Sequence, residues 1–156
     1  MRIDRAFGRK HSGALKVRDF DFEIKAVSDD GKFNGYGSVW DVVDSYQEVV
    51  AKGAFTESLA ELAAKGRPVP VLWQHRSSEP IGAWSNLKED DHGLFGEGQI
   101  LLDAGEMEKR AYVHMKARTV TGLSIGYWVR ESSYDEKTGI RTLTKLDLVE
   151  ISLVTF

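Results

Sequence analysis

A single acidic residue inside an apolar stretch constrains this chain more than any other feature. Glu150 lies in the run Leu-Val-Glu-Ile-Ser-Leu-Val at residues 148–154, where burying a carboxylate is costly unless a partner compensates its charge. The sequence Asp-Glu-Lys-Thr-Gly at residues 135–139 is rich in turn formers and predicts the tip of a β-hairpin. A hairpin centred on Lys137 would place Ser124 directly opposite Glu150 on one sheet face, with Cβ atoms about 5 Å apart. The alternative is a structural ion pair between Glu150 and a buried arginine or lysine.

Ser124 itself lies in the sequence Gly-Leu-Ser-Ile-Gly at residues 122–126, which matches the Gly-x-Ser-x-Gly pattern of α/β-hydrolases. In those enzymes an acid and then a histidine follow the serine, whereas every histidine of this chain precedes Ser124. The alternation of side chains along residues 123–129 also predicts that Ser124 lies on a strand rather than at a sharp strand-to-helix turn. The pattern therefore argues against an α/β-hydrolase, and taken alone it is more typical of a small residue on a sheet face.

A serine nucleophile needs a base, and His75 is the leading candidate. It ends a strand pattern at residues 68–75 in which apolar residues recur at every second position. A histidine at a strand end, partly in the core and partly at a loop, suits general-base chemistry near neutral pH, although a structural histidine is the alternative. The other three histidines have simpler interpretations. His92 lies in an acidic turn, His114 packs on a helix, and His11 lies near the N-terminus.

Composition excludes several classes of protein. The 156 residues fit one domain and contain no cysteine, which excludes disulfides, zinc–thiolate sites and cysteine proteases. No apolar run approaches the length of a membrane-spanning helix. Residues 1–18 carry six arginines and lysines but one acidic residue, so we expect residues 1–19 to form a flexible basic arm before a domain over residues 20–156. The arm has no interleaved aromatic pattern that would predict nucleic-acid binding, although docking on an acidic partner is an alternative role.

The remaining patterns predict many short strands and two helices. Strands are predicted over residues 20–26, 33–40, 47–51, 68–75, 81–87, 94–101, 121–132 and 140–156. One helix is predicted from Phe55 to a stop at Gly66, and a second begins at a capping box of Asp103 and Glu106. The expected fold is mainly β with helices (α+β), an antiparallel β-barrel core flanked by helices. The pattern argues against a doubly wound α/β fold, because strands and helices do not alternate regularly.

Taken together, these segments resemble the prohead (capsid maturation) serine proteases of tailed bacteriophages, which are relatives of the herpesvirus assemblin proteases. The matching stretches are Val-Leu-Trp-Gln-His at residues 71–75, Pro-Ile-Gly at 80–82, Gly-Leu-Ser-Ile-Gly-Tyr at 122–127 and Leu-Val-Glu-Ile-Ser-Leu-Val-Thr-Phe at 148–156. The sequences at residues 35–39 and 53–55 are also similar to the family. No single motif is specific, but their order and spacing together are, and the resemblance covers about residues 20–156.

The resemblance implies an assemblin-like fold and a catalytic triad. Ser124 would be the nucleophile and His75 the base, and Glu150 would stand where assemblins have a second histidine. We expect these three residues to converge on one exposed groove. Because the chain stops six residues after Glu150, inside a strand pattern, we also expect the protease domain to be shortened at its C-terminus.

The resemblance further implies a serine endopeptidase that cleaves scaffold and capsid precursor proteins during phage prohead maturation, and itself. Its location would be the host bacterial cytoplasm, inside the assembling procapsid. No cofactor, metal, membrane or specific nucleic acid is expected, and a homo-oligomer is left open. Two alternatives remain, a catalytically silent capsid-scaffold binding barrel and a small-molecule serine esterase.

Overall fold

The computed structural model describes residues 2–4, 9–11, 15–20, 24 and 26–155. Over these residues the chain forms strands with two α-helices. The elements in chain order are β1 (Arg2–Asp4), β2 (Arg9–His11), β3 (Lys16–Phe20), β4 (Ala26–Val27), β5 (Lys32–Val39), β6 (Glu48–Val50), α1 (Thr56–Ala64), β7 (Pro70–Trp73), β8 (Arg76–Glu89), β9 (Gly93–Ile100), α2 (Glu106–Lys116), β10 (Gly122–Asp135) and β11 (Ile140–Val154). The predicted mainly β fold with helices is confirmed.

One large sheet carries most of the chain. Its strand order is β3-β10-β11-β7-β8-β9-β5-β4, β6 pairs separately with β11, and the sheet curls into a half-barrel in which β10 approaches β5. Strands β6 and β7 run parallel to β11, so the sheet is mixed rather than antiparallel throughout. Parallel neighbours need a long connection, and residues 74–139 between β7 and β11 provide it.

The hairpin of β10 and β11 divides the polar from the apolar side of the sheet. Alternate residues such as Leu123, Ile125 and Ile151 are fully buried in the main apolar core, as the two-residue period of a strand requires. Both helices also contribute to this core, Leu62 from α1 and, one turn apart on α2, Ala111 and Met115. The side chains that face the other way from β10 and β11 are therefore the ones available for a polar site.

The N-terminal region differs from the expectation of an arm separate from the domain. Strand β3 extends the main sheet by pairing with β10, and Asp19 lies opposite Ser124. Strands β1 and β2 form a second, two-stranded antiparallel sheet. The strand expected over residues 20–26 falls largely on residues 21–23 and 25, which lie outside the described residues.

The second helix also begins differently from the sequence prediction. Asp103 lies in a 3₁₀ turn, Leu102–Ala104, and Gly105 occupies the N-cap position of α2 without a side-chain cap. The predicted capping box is therefore wrong. Instead, Glu106 and Glu108 place negative charge in the first turn, where it favours the positive end of the helix dipole.

In the part of the chain that the structure describes, neither helix has the length and apolar character needed to cross a bilayer.

Candidate active site

The β10–β11 hairpin brings Ser124 and Glu150 to one sheet face, but not directly opposite each other. Ser124 pairs with Ser152, and Glu150 pairs with Gly126. The register predicted from the sequence was therefore wrong by two residues at this end of the hairpin. The loop closes between Asp135 and Ile140, and β-bulges shift the register again along the strands. Ser124 and Glu150 still face the same side because they are diagonal neighbours.

Gly126 provides the space in which the Glu150 side chain lies. A Cβ atom at position 126 would collide with Glu150 Oε1 and would lie 3.0 Å from its Cδ atom. A glycine here lets the carboxylate lie flat across β10 and reach toward the neighbouring strands. The second glycine of the Gly-x-Ser-x-Gly sequence therefore has a steric explanation that has nothing to do with an α/β-hydrolase turn.

His75 stands on a tight turn between β7 and β8, not at the end of a strand as predicted. Trp73 and Arg76 pair across the turn, and the two residues between them have left-handed backbone, with φ of 52° at Gln74 and 60° at His75. Such backbone is uncommon for residues other than glycine. The turn reverses the chain beside β11 and aims the His75 ring at the polar face of the β10–β11 hairpin.

The His75 ring bridges the other two predicted site residues. Its Nε2 atom lies 2.6 Å from Ser124 Oγ, and its Nδ1 atom is hydrogen-bonded to Glu150 Oε1. An anionic carboxylate can accept a hydrogen bond but cannot donate one, so Nδ1–H donates to Glu150. The lone pair on Nε2 then accepts the hydrogen bond of the Ser124 hydroxyl. The structure thus brings together all three residues that the sequence analysis singled out, in the order hydroxyl, imidazole, carboxylate.

Burial distinguishes the three members. Ser124 is 0% and Glu150 2% exposed, whereas the His75 side chain is 23% exposed. The site is therefore not the open groove expected from the sequence, and the His75 ring lies against both buried side chains. The partner of the buried carboxylate is His75 rather than the arginine or lysine of the alternative interpretation.

Ser152, which the sequence analysis did not single out, completes the hydrogen bonding of Glu150. Its hydroxyl donates to Glu150 Oε2 at 2.6 Å and accepts the backbone N–H of His75 at 3.0 Å. Ser152 lies two residues after Glu150, so the two-residue period of a strand could have indicated that both face one side. No sequence signal would have revealed the bond to His75, which joins residues 77 positions apart.

The other histidines have different environments. The Nδ1 atom of His114 lies 2.8 Å from Thr119 Oγ1, and the His92 ring packs edge-on against Tyr36 with centroids 4.6 Å apart. The side chain of His11 is outside the described part of the structure. Among the described residues, no group of three or more histidine, aspartate or glutamate side chains is arranged to hold a metal ion.

The arrangement can move a proton. As a reacting group approaches Ser124, the proton of the Ser124 hydroxyl can pass to Nε2 of His75. The two atoms are 2.6 Å apart, which is within the range required of a general base. The negative charge of Glu150 on the opposite side of the ring favours the imidazolium that forms.

Comparison with known proteins supports the resemblance seen in the sequence. Residues 20–156 match the family of caudovirus prohead serine proteases. The chain is 34% identical over 148 residues to the prohead protease of Enterobacteria phage HK97, covering 91% of this chain and 64% of that protein. It is also 35% identical over 69 residues to the capsid polyprotein of Pseudomonas phage PAJU2, covering 41% of this chain and 10% of the polyprotein.

A solved structure extends the comparison to the fold. The bacteriophage T4 capsid assembly protease has a TM-score of 0.70 to this chain at 12% identity, covering 91% of this chain and 98% of that one. At that identity the likeness concerns the fold, and it agrees with the curled half-barrel described above. The family match is a match of sequence, and it covers residues 20–156, the greater part of the chain. The chain therefore belongs to the caudovirus prohead serine protease family.

Proposed function

We propose that this chain is a serine endopeptidase that cleaves scaffold and capsid precursor proteins during phage prohead maturation, with Ser124, His75 and Glu150 as its catalytic triad. The observation that supports the proposal best is the continuous hydrogen-bonded path from the buried Glu150 carboxylate through the His75 ring to the Ser124 hydroxyl. Family membership over residues 20–156 supports the reaction class.

In the first half of the reaction, Ser124 Oγ attacks the carbonyl carbon of the scissile peptide bond. The O–C bond forms as His75 Nε2 takes the hydroxyl proton, and Glu150 stabilises the resulting imidazolium through Nδ1–H. The tetrahedral intermediate then collapses. The C–N bond breaks, the Nε2 proton passes to the leaving amine, and an ester of Ser124 remains.

In the second half, water takes the place of the amine. His75 Nε2 accepts a proton from the water as the water oxygen attacks the ester carbon. The bond between that carbon and Ser124 Oγ then breaks, and the Nε2 proton returns to Oγ. A carboxylic acid product is released, and the hydroxyl, neutral imidazole and carboxylate are regenerated. Each transferred proton moves through the same Nε2 atom. The proposal therefore depends on the 2.6 Å separation between Nε2 and Ser124 Oγ.

The proposed substrates are capsid precursor and scaffold segments, and the protease itself, within the assembling procapsid in the host cytoplasm. Support comes from the names of the relatives, a prohead protease and a capsid polyprotein. The chain spans 64% of the length of the HK97 prohead protease, so substrates and partners are proposals for the chain as it stands.

The test is co-expression of this chain with the capsid precursor of its phage, followed by mass spectrometry of the fragments. We expect defined cleavage by the wild-type chain and none by Ser124→Ala. A matched control is Ser38→Ala, which removes another fully buried serine hydroxyl. Cleavage of the precursor by Ser124→Ala at the wild-type rate would exclude Ser124 as the nucleophile.

A fluorophosphonate probe tests the first alternative, and an assay with simple esters tests the second. Labelling of Ser124 would contradict a catalytically silent scaffold-binding barrel. Hydrolysis of simple esters without any cleavage of the capsid precursor would favour a small-molecule esterase instead.

A further inference from the structure

Ser152 touches both partners of the His75–Glu150 pair with a single oxygen atom. Its hydroxyl donates to Glu150 Oε2 and accepts the backbone N–H of His75. Ser152 is fully buried, so water cannot readily replace either bond if the hydroxyl is removed. Only a hydroxyl side chain can donate to a carboxylate and accept from an amide through one atom.

The bond to the His75 N–H anchors a strained turn. Gln74 and His75 both have left-handed backbone, which is unfavourable for residues other than glycine and persists only where surrounding contacts hold it. Three further bonds hold the same turn against β11 and the residue that follows it. The Gln74 N–H donates to the Leu153 carbonyl at 3.0 Å, and the Gln74 side-chain amide donates to Thr155 Oγ1 at 2.8 Å and accepts the Thr155 N–H at 3.4 Å.

The bond to Glu150 sets the direction of the carboxylate. With Oε2 held by Ser152, Oε1 is the oxygen presented to His75 Nδ1. Gly126 leaves the space for this orientation, and a side chain there would remove it. One serine therefore controls the direction of the carboxylate and the position of the backbone that carries the imidazole.

We infer that Ser152 is a positioning residue for the candidate catalytic triad, acting on His75 through its backbone and through Glu150. The inference rests on the proposed function for its effect on reaction rate, but not for its effect on the His75 ring. Without the hydroxyl, the His75 N–H and Glu150 Oε2 each lose a buried partner. The ring then samples orientations in which Nε2 no longer lies within reach of Ser124 Oγ.

The kinetic test measures fluorophosphonate labelling of the full chain at a series of probe concentrations. For Ser152→Ala we expect the maximal labelling rate to fall about 10- to 100-fold, since small misplacements of reacting groups have effects of this size. The probe concentration giving half-maximal rate should change little, because Ser152 is fully buried and does not contact the solvent from which the probe binds. Ser38→Ala is the matched control. It removes a buried hydroxyl that has no hydrogen-bond partner among the described residues, and it should label at the wild-type rate.

The spectroscopic test does not depend on activity. The His75 Nδ1–H bound to Glu150 should give a downfield proton resonance in wild type and in Ser38→Ala, and none in Glu150→Ala. In Ser152→Ala we expect that resonance to shift or to vanish through exchange with water. An unchanged resonance together with a wild-type labelling rate in a folded Ser152→Ala chain would overturn the inference.

Two further outcomes distinguish failure of this inference from failure of the proposed function and from misfolding of the variant. If Ser124→Ala still cleaves substrate, the proposed function fails, yet the resonance in Ser152→Ala still decides the role of Ser152. If Ser152→Ala does not fold, hydrogen exchange of the wild-type chain replaces it. The His75 amide should be protected although it lies in a turn, and rapid exchange at that amide would contradict the inference.

Discussion

Two buried carboxylates lie three residues apart on β11, and they are compensated in different ways. Glu150 is hydrogen-bonded to the ring of His75 and to Ser152. Asp147 is fully buried and lies 3.7 Å from Arg130, which also pairs with Glu57 of α1. An arginine stays protonated under all ordinary conditions, whereas an imidazole gains and loses its proton near neutral pH.

This difference indicates that the buried charge of Asp147 stabilises the fold, whereas that of Glu150 acts on a group that can transfer a proton. The cluster around Arg130 ties α1 to the β10–β11 hairpin through ion pairs, and Lys145 reinforces it by pairing with Glu57 and Glu131. The cluster around His75 places a titratable group beside a hydroxyl. We therefore expect changes near Arg130 to affect folding and changes near His75 to affect reaction rate.

The largest expected effect is that of removing the hydroxyl or the base. Ser124→Ala and His75→Ala should each lower turnover of the capsid precursor by roughly 10⁴- to 10⁶-fold, and the double variant should be little worse, because the residues act as one unit. Thermal unfolding of Ser124→Ala should remain close to wild type, whereas His75→Ala removes the ring that pairs with the buried Glu150 and should also lower stability. Rates are measured by fragment analysis over time, and additive losses in the double variant would argue against a shared mechanism.

The two carboxylates themselves provide the second test. Glu150→Gln should lower turnover by about 10²- to 10⁴-fold, less than loss of Ser124 or His75, because it retains shape and one hydrogen bond. Asp147→Asn, its matched counterpart, should leave turnover near wild type but lower the free energy of unfolding by about 1–3 kcal/mol, since Arg130 loses a buried partner. Turnover and chemical denaturation are measured on both variants. Equal loss of turnover in the two would remove the distinction between the clusters.

The pH dependence of the two clusters should fall in separate windows. Activity should rise as pH increases toward neutrality, because a histidine base must have lost its proton before Nε2 can accept another. The Lys145 ammonium beside Glu57, assisted by Arg130, holds the pKa of that carboxyl below its ordinary value of 4.5. A lowered folded-state pKa contributes stability above the ordinary value, and that stability is lost as pH falls through the folded-state pKa.

At pH 5 turnover should therefore be lower than at neutral pH, while the contribution of the Glu57 ion pairs to stability is still present. Parallel measurements of turnover and of thermal unfolding between pH 3 and pH 9 check this order. A flat activity profile would argue against a histidine base, and coincident loss of activity and folding would argue that one cluster controls both.

The smallest expected effect is that of the exposed charges around Arg130. Glu57→Gln removes partners of Arg130 and Lys145, but exposed ion pairs contribute little and are screened by salt. We expect Glu57→Gln to lower the melting temperature slightly at low salt, and by less than Asp147→Asn does. The decrease caused by Glu57→Gln should disappear at high salt. Thermal unfolding at two salt concentrations measures it, with Glu136→Gln in the hairpin loop as a control. A salt-independent loss would show that Glu57 has a packing role.

Sequence alone determined the identity of the candidate site residues and the class of the fold. The carboxylate in an apolar run, the hairpin tip at residues 135–139 and the alternation along β10 together placed Ser124 and Glu150 on one face. Such inferences succeed because side-chain direction in a strand depends only on local backbone geometry. The capping box at Asp103 failed because a 3₁₀ turn competes with the helix for the same residues.

The tertiary structure decided what depends on contacts between distant segments. The bulges of the β10–β11 hairpin set its register, and their positions follow from how both strands pack within the half-barrel. The left-handed turn at His75 is held in place because β11 supplies partners for its backbone and for the His75 ring. The roles of Ser152 and Gly126 likewise arise only when β7, β10 and β11 meet, because each depends on a residue at least 24 positions away along the chain.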